Sequence, residues 1–215
     1  MHAAIPYASW TGTKRNLREM QAHQWRLLMS PETLKRSGWR APLWPDGAPA
    51  PYALDNGAWT AFQQKHPFDE VVFLRALDAV GMGADWICVP DIVADPHSFA
   101  FSLSWLPRMS GYPGLLLPVQ DGMTPEQVRP LIGQQLGIAV GGSTEWKLKT
   151  LAMWAAFARS CGAYCHILRV NSERRIKHCI GAGAQSFDGT SGTRFAVNIP
   201  RLDRAARWKQ QGLFT

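Results

Sequence analysis

Short apolar runs that stop at an acid, an amide or a glycine, each followed by helical spacing, recur along this chain and limit what it can become. They include Ala53-Leu54-Asp55, Val89-Pro90-Asp91, Val119-Gln120-Asp121, Val140-Gly141-Gly142 and Phe187-Asp188. A first strand is expected near His2–Ala8 and an eighth at 195–199. Helical patterns are expected at 16–29, at 32–37, at 68–80, at 96–106 with Asp95 as N-cap, from Thr124-Pro125, at 144–160, at 171–180 and at 201–211. Strands alternating with helices at this rate imply a parallel sheet. Eight of them in 215 residues predict an α/β fold, a compact (β/α)8 TIM-type barrel with an irregular opening region. An open or incomplete barrel fits the same pattern. One domain spanning 1–215 suits the length.

If the fold is a barrel, the acids gather at its C-terminal mouth, where such folds carry their chemistry. Asp188, before Gly189-Thr190-Ser191-Gly192, reads as a nucleophile, a base or a helix N-cap. Asp55, Asp91, Gln120, the Gly141-Gly142 backbone and Asp188 together form one constellation. Asp and Gln can grip the donor-acceptor edge of a purine-like base, and glycine lets backbone amides approach it. A carboxylate facing an anomeric carbon can form a glycosyl ester, while a second one moves protons. Asp121 is expected to cap the helix near Thr124. His2 reads as a surface residue, and Ser9 and Trp10 as weaker candidates for lining a pocket.

Lys and Arg number 23 against 16 Asp and Glu, giving +7, so the surface favours polyanions. Arg194, Arg174, Arg175 and Lys177 are candidate phosphate contacts. The ten Trp are either core filler or stacking platforms for bases. The segment 31–51, with Lys35, Arg36, Trp39, Arg40 and Trp44, is either a nucleic-acid-facing flap or a solvated loop pinned by its tryptophans. Cys161, Cys165 and Cys179 with His166 and His178 match no standard zinc spacing, so no metal or other cofactor is expected. No signal peptide is expected, and no apolar run reaches membrane-spanning length. A cytoplasmic protein with reduced thiols is the expectation.

Five of these segments, in order over about 51–194, resemble motifs of the tRNA-guanine transglycosylase superfamily. Asp55-Asn56-Gly57-Ala58-Trp59 resembles its Asp-Ser-Gly-Gly-Phe/Tyr segment, and Pro90-Asp91-Ile92-Val93 its Ser-Asp-Ile-Val segment. Val119-Gln120-Asp121-Gly122 resembles Val-Gln-Gly-Gly, and Gly137-Ile138-Ala139-Val140-Gly141-Gly142 resembles Gly-Leu-Ala-Val-Gly. Phe187-Asp188 with Thr193-Arg194 resembles the nucleophile loop. The resemblance implies base exchange on a TIM-type barrel. By it, Asp188 attacks C1′ of the target guanosine, Asp55 is the acid/base, and Asp91, Gln120 and Gly141-Gly142 read an incoming 7-deazaguanine.

Departures from the pattern point to one branch. The family's structural zinc needs a Cys-rich segment and a His after the nucleophile loop, but no Cys follows Cys179 and no His follows His178. Asn56 replaces Ser, Asp121 replaces Gly, and the chain is short. It therefore looks most like the compact phage 7-deazaguanine DNA transglycosylases, with DNA as partner and, if phage-encoded, the host cytoplasm as location. A tRNA-type transglycosylase, an inactive nucleic-acid-binding barrel and a two-carboxylate glycoside hydrolase are the rivals. Duplex DNA would have to give up its base to the pocket by flipping.

Overall fold

The computed structural model describes residues 3–208, and His2 and the end of the expected 201–211 helix lie outside them. The elements are β1 (Ile5–Ser9), α1 (Lys14–Ala22), β2 (Arg26–Met29), α2 (Pro31–Ser37), β3 (Tyr52–Leu54), α3 (Ala58–Gln64), α4 (Glu70–Val80), β4 (Ile87–Cys88), α5 (Ser98–Met109), β5 (Leu115–Val119), α6 (Pro125–Val128), β6 (Leu136–Val140), α7 (Thr144–Ser160), β7 (Cys165–Ile167), α8 (Glu173–Ala182), β8 (Ser186–Gly189), α9 (Ser191–Arg194) and α10 (Ile199–Ala206). The strands pair in sequence order into a closed eight-stranded barrel, all parallel, with β8 returning to β1. The fold is a compact (β/α)8 barrel.

One expected helix gives up its end to a strand, and one expected strand is lost. The stretch 16–29 is not one helix. Gln24 adopts a left-handed backbone (φ 59°) after α1 ends, and Arg26–Met29 then pairs with β1 and β3 as β2. Leu17, Met20, Trp25 and Leu28 keep roughly helical spacing across this break, and no Gly or Pro marks it. The expected strand at 195–199 is instead a 3-10 turn (Ala196–Asn198) leading into α10. Closure of β8 on β1 leaves no edge for it, and its Phe195 and Val197 point to solvent.

Helix ends follow local chemistry. Ser143 caps α7, Ser172 caps α8, and Thr124 with Gln127 makes a capping box on α6. Asp95 does not cap α5, which begins at Ser98. Its Oδ1 accepts the His97 N–H at 2.7 Å in a tight turn before the helix. Asp121 does not serve the Thr124 helix either. Its carboxylate accepts the Ser143 N–H and Oγ–H, each at 2.6 Å, and so braces the cap of α7.

Alternation along each strand makes two cores. Outward residues such as Met29, Leu54, Val89, Leu117, Val140, Ile167 and Phe187 pack against the helices, while Tyr7, Leu28, Ala53, Trp86, Cys88, Leu116 and Ala139 fill the barrel. Trp25, Trp105 and Trp154 are core filler. In the segment 31–51, Trp44 is buried and Trp39 lies under the Arg75 guanidinium at 4.3 Å, so this connection is pinned by its tryptophans. Among the described residues no helix is long and apolar enough to cross a membrane.

Candidate active site

The C-terminal ends of the strands surround a cavity of about 610 Å³. Asp55, Asp91, Gln120, Gly141, Gly142 and Asp188 all line it, as do Ser9, Trp10, Trp59, Arg169, Arg175 and Arg194. Parallel strands explain the convergence: every strand delivers its last residue to the same face. Arg174 and Lys177 are not part of the lining; both project from the exposed side of α8.

Asp188 belongs to β8, where alternation turns Ser186 and Asp188 inward and Phe187 outward. It caps no helix. Its Oδ1 accepts the Arg169 backbone N–H at 3.0 Å and lies 3.1 Å from His166 Nε2. His166 is fully buried, and its Nδ1 sits 2.7 Å from Ser186 Oγ. Burial pushes the imidazole toward its neutral form, against the opposing pull of Asp188.

On the facing side, Asp55 accepts the Gly57 N–H at 3.2 Å. Its carboxyl is pushed up to about 7, first by burial and then by the negative Asp188 opposite it. Gly57 starts α3 in a left-handed conformation (φ 83°), a turn that glycine makes without strain. Asp91 is raised to about 6 by burial, with the Asn56 hydrogen bond and the Arg169 charge opposing. Cys88, beneath these acids, has its thiol pushed well above the usual range by burial and by Asp55, Asp91 and Asp188.

Two residues expected to read a base are already engaged. The Gln120 amide accepts the Ala94 N–H at 2.9 Å and donates to Ile92 O at 2.9 Å, so it ties the loop after β4 to β5. The Gly141 N–H donates to Val119 O at 2.8 Å. Gly142 (φ 70°) stands where any Cβ would strike the Asp121 carboxylate and the Trp146 ring, and its carbonyl accepts from the Arg169 guanidinium.

The sequence reading missed four residues of the site. Asn56 donates to Asp91 Oδ1 and to Val89 O, both at 2.8 Å, and so sets the Asp91 rotamer. Arg169 adopts a left-handed backbone (φ 58°) that aims its N–H at Asp188, and its guanidinium lies 4.0 Å over the Trp59 ring. Lys147 is buried on α7, donates to Leu168 O and Arg169 O, and is pushed down to about 8, mainly by burial. His166 is the fourth. Its signal in the sequence is a polar residue at an inward strand position, masked by the neighbouring Cys165.

Those cysteines are free thiols; Cys165 and Cys179 are buried and both are pushed up to about 12, chiefly by burial. Among the described residues no group of three or more His, Cys, Asp or Glu side chains is arranged to hold a metal ion. No protein-family model matches this sequence, and no curated protein matches it.

Proposed function

We propose that this protein exchanges a guanine in DNA for a 7-deazaguanine, such as 7-cyano-7-deazaguanine, through a covalent bond between Asp188 and the sugar. The observation that carries the reading is the pairing of two unlike carboxyls across one cavity. Asp188 Oδ1 meets the Arg169 backbone N–H and the His166 imidazole, and Asp55 opposite it is pushed up to about 7 by burial and by Asp188. Unlike environments of this kind divide nucleophile from acid/base. Each of the five segments that resemble transglycosylase motifs lends a residue to the lining of this cavity: Asp55, Asp91, Gln120, Gly141-Gly142 and Asp188.

In the first half-reaction Asp188 Oδ2 bonds to C1′ as the C1′–N9 bond breaks. The electron pair leaves with the base, which takes its proton from Asp55. In the second, N9 of the incoming base gives its proton to Asp55 and bonds to C1′. The C1′–Oδ2 bond breaks, and its pair returns to Asp188. Asp91, fixed by Asn56, faces the base edge. Gln120 holds the Ile92–Ala94 backbone that floors this side of the pocket. Arg36, Arg175 and Arg194 line the cavity as phosphate contacts, in keeping with the +7 charge.

The test is loss of labelled guanine from a DNA oligonucleotide and from tRNA in parallel, with 7-cyano-7-deazaguanine supplied. Wild type should release label from DNA, and Asp188→Ala should lose at least about 10⁴-fold in rate, the scale seen when a nucleophile is removed. Release from tRNA alone would move the substrate to RNA. Release from neither would overturn the enzyme reading.

A further inference from the structure

Asp188 is served by residues that lie outside the five segments carrying the resemblance. His166 stands on β7 and Ser186 on β8, paired in register across the sheet, both fully buried and both pointing into the barrel. The imidazole is wedged between aromatic rings, with Trp86 4.4 Å away between centroids and Tyr7 edge-on at 5.8 Å. It cannot swing to another partner without displacing them.

Resting on the nucleophile reading above, we infer that His166 is a positioning residue that lets Asp188 leave the sugar again, with Ser186 locking the imidazole in the required tautomer. The assignment follows from donor and acceptor counting. A carboxylate only accepts, so the nitrogen facing Asp188 Oδ1, Nε2, must carry the hydrogen. A neutral ring then has a bare Nδ1, which must accept, so the Ser186 hydroxyl at 2.7 Å donates to it.

The consequence falls on one half-reaction. Both N–H donors meet Oδ1, so Oδ2 attacks C1′ and Oδ1 becomes the carbonyl oxygen of the glycosyl ester. An N–H bonds a carboxylate more strongly than an ester carbonyl. The pair of donors therefore favours free Asp188 over the ester and stabilises the charge that returns when the incoming N9 displaces it. Removing the His166 donor leaves the ester formed but slow to resolve.

The experiment measures adduct on denaturing gels with a DNA oligonucleotide, and its resolution on chasing with free guanine. The proteins are wild type, Asp188→Ala, His166→Leu, His166→Gln and Ser186→Ala. His166→Leu should resolve adduct about tenfold to a hundredfold more slowly, the range for one charge-assisted hydrogen bond, and carry a larger steady-state adduct fraction. KM for the base should stay unchanged. His166→Gln, whose amide N–H can replace Nε2–H, should restore most of the resolution rate. Equal slowing of formation and resolution, or no difference between Leu and Gln, would overturn the inference.

Should His166→Leu fail to fold, two readouts remain. Ser186→Ala should slow resolution in the same direction by a smaller factor. The ¹⁵N spectrum of His166 should show the Nε2–H neutral tautomer in wild type and a tautomer mixture in Ser186→Ala. An Nδ1–H tautomer or an imidazolium in wild type would overturn the inference. Adduct formed by Asp188→Ala would instead bring down the nucleophile reading and leave the tautomer lock standing.

Discussion

From β2 to β6 the inside of the barrel is lined by Leu28, Ala53, Cys88, Leu116 and Ala139, whereas β7 and β8 present His166, Ser186 and Asp188. The two walls do different electrostatic work on the carboxyls above them. Asp55 and Asp91 follow β3 and β4, on the apolar side, where burial raises them to about 7 and about 6. Asp188 ends the polar side, where an imidazole and a backbone N–H meet it. A buried polar group is tolerated when its partners are present, and His166 has one on each nitrogen. On the apolar side Trp86 Nε1 has no partner among the described residues. One barrel thus raises the two acids on its apolar side and gives the acid on its polar side an imidazole partner.

On the apolar side the largest expected effect comes from Asp55→Asn, which removes the carboxyl that burial there raises to about 7. Exchange should fall about 10²- to 10⁴-fold, the usual span for general acid/base groups. Stability should move the other way. The folded carboxyl titrates near 7 and the unfolded one near its ordinary 3.8, so between those values the native state binds more protons. Stability from this group is complete below pH 4 and is lost as pH rises through 7. Asn removes that loss, so the variant should gain on wild type with increasing pH, by no more than about 4 kcal/mol at pH 8. Denaturant midpoints at pH 4.5 and pH 8 would show it. Equal differences at both would mean that Asp55 is not held neutral.

Leu116→Ala tests whether the apolar wall acts only as packing and low-dielectric filler. Leu116 is 1% exposed, and a cavity there should cost about 2–5 kcal/mol. Exchange per folded molecule should stay within about twofold, because Leu116 touches neither substrate nor Asp188 in the proposed chemistry. A large fall in rate at full folding would mean the wall also sets catalytic geometry, and the division between the walls would fail.

The polar wall and the apolar wall differed in how well the sequence announced them. Acids at strand ends were legible because parallel topology sends every strand end to one mouth, so Asp55, Asp91 and Asp188 could be grouped without coordinates. β2 was not, because Gln24 makes its left-handed turn without a glycine. Asn56, Arg169 and His166 were hidden for a related reason. Their roles depend on a rotamer, a positive φ and a register across β7 and β8, none of which leaves a spacing pattern in the chain. Gln120 was placed correctly in the cavity lining, but its bonds to Ile92 and Ala94 could not be read from β5 alone.

The smallest effect belongs to the cationic rim, which extends the contrast from the barrel interior to its mouth. Arg194 lines the cavity from α9, while Lys177 projects from α8 away from it. Both carry the same charge and add equally to the net +7, so a general attraction for polyanions would weaken alike on losing either. A seated duplex would not. If its phosphates run along the cavity rim, Arg194→Ala releases one contact and lowers the slope of log affinity against log salt by about 0.9, whereas Lys177→Ala leaves it unchanged. Titrations of one duplex oligonucleotide at several salt concentrations separate the two cases. Equal slopes for both variants would show that DNA is held by the overall field, and the path of the strand would then have to be sought away from the α9 side of the mouth.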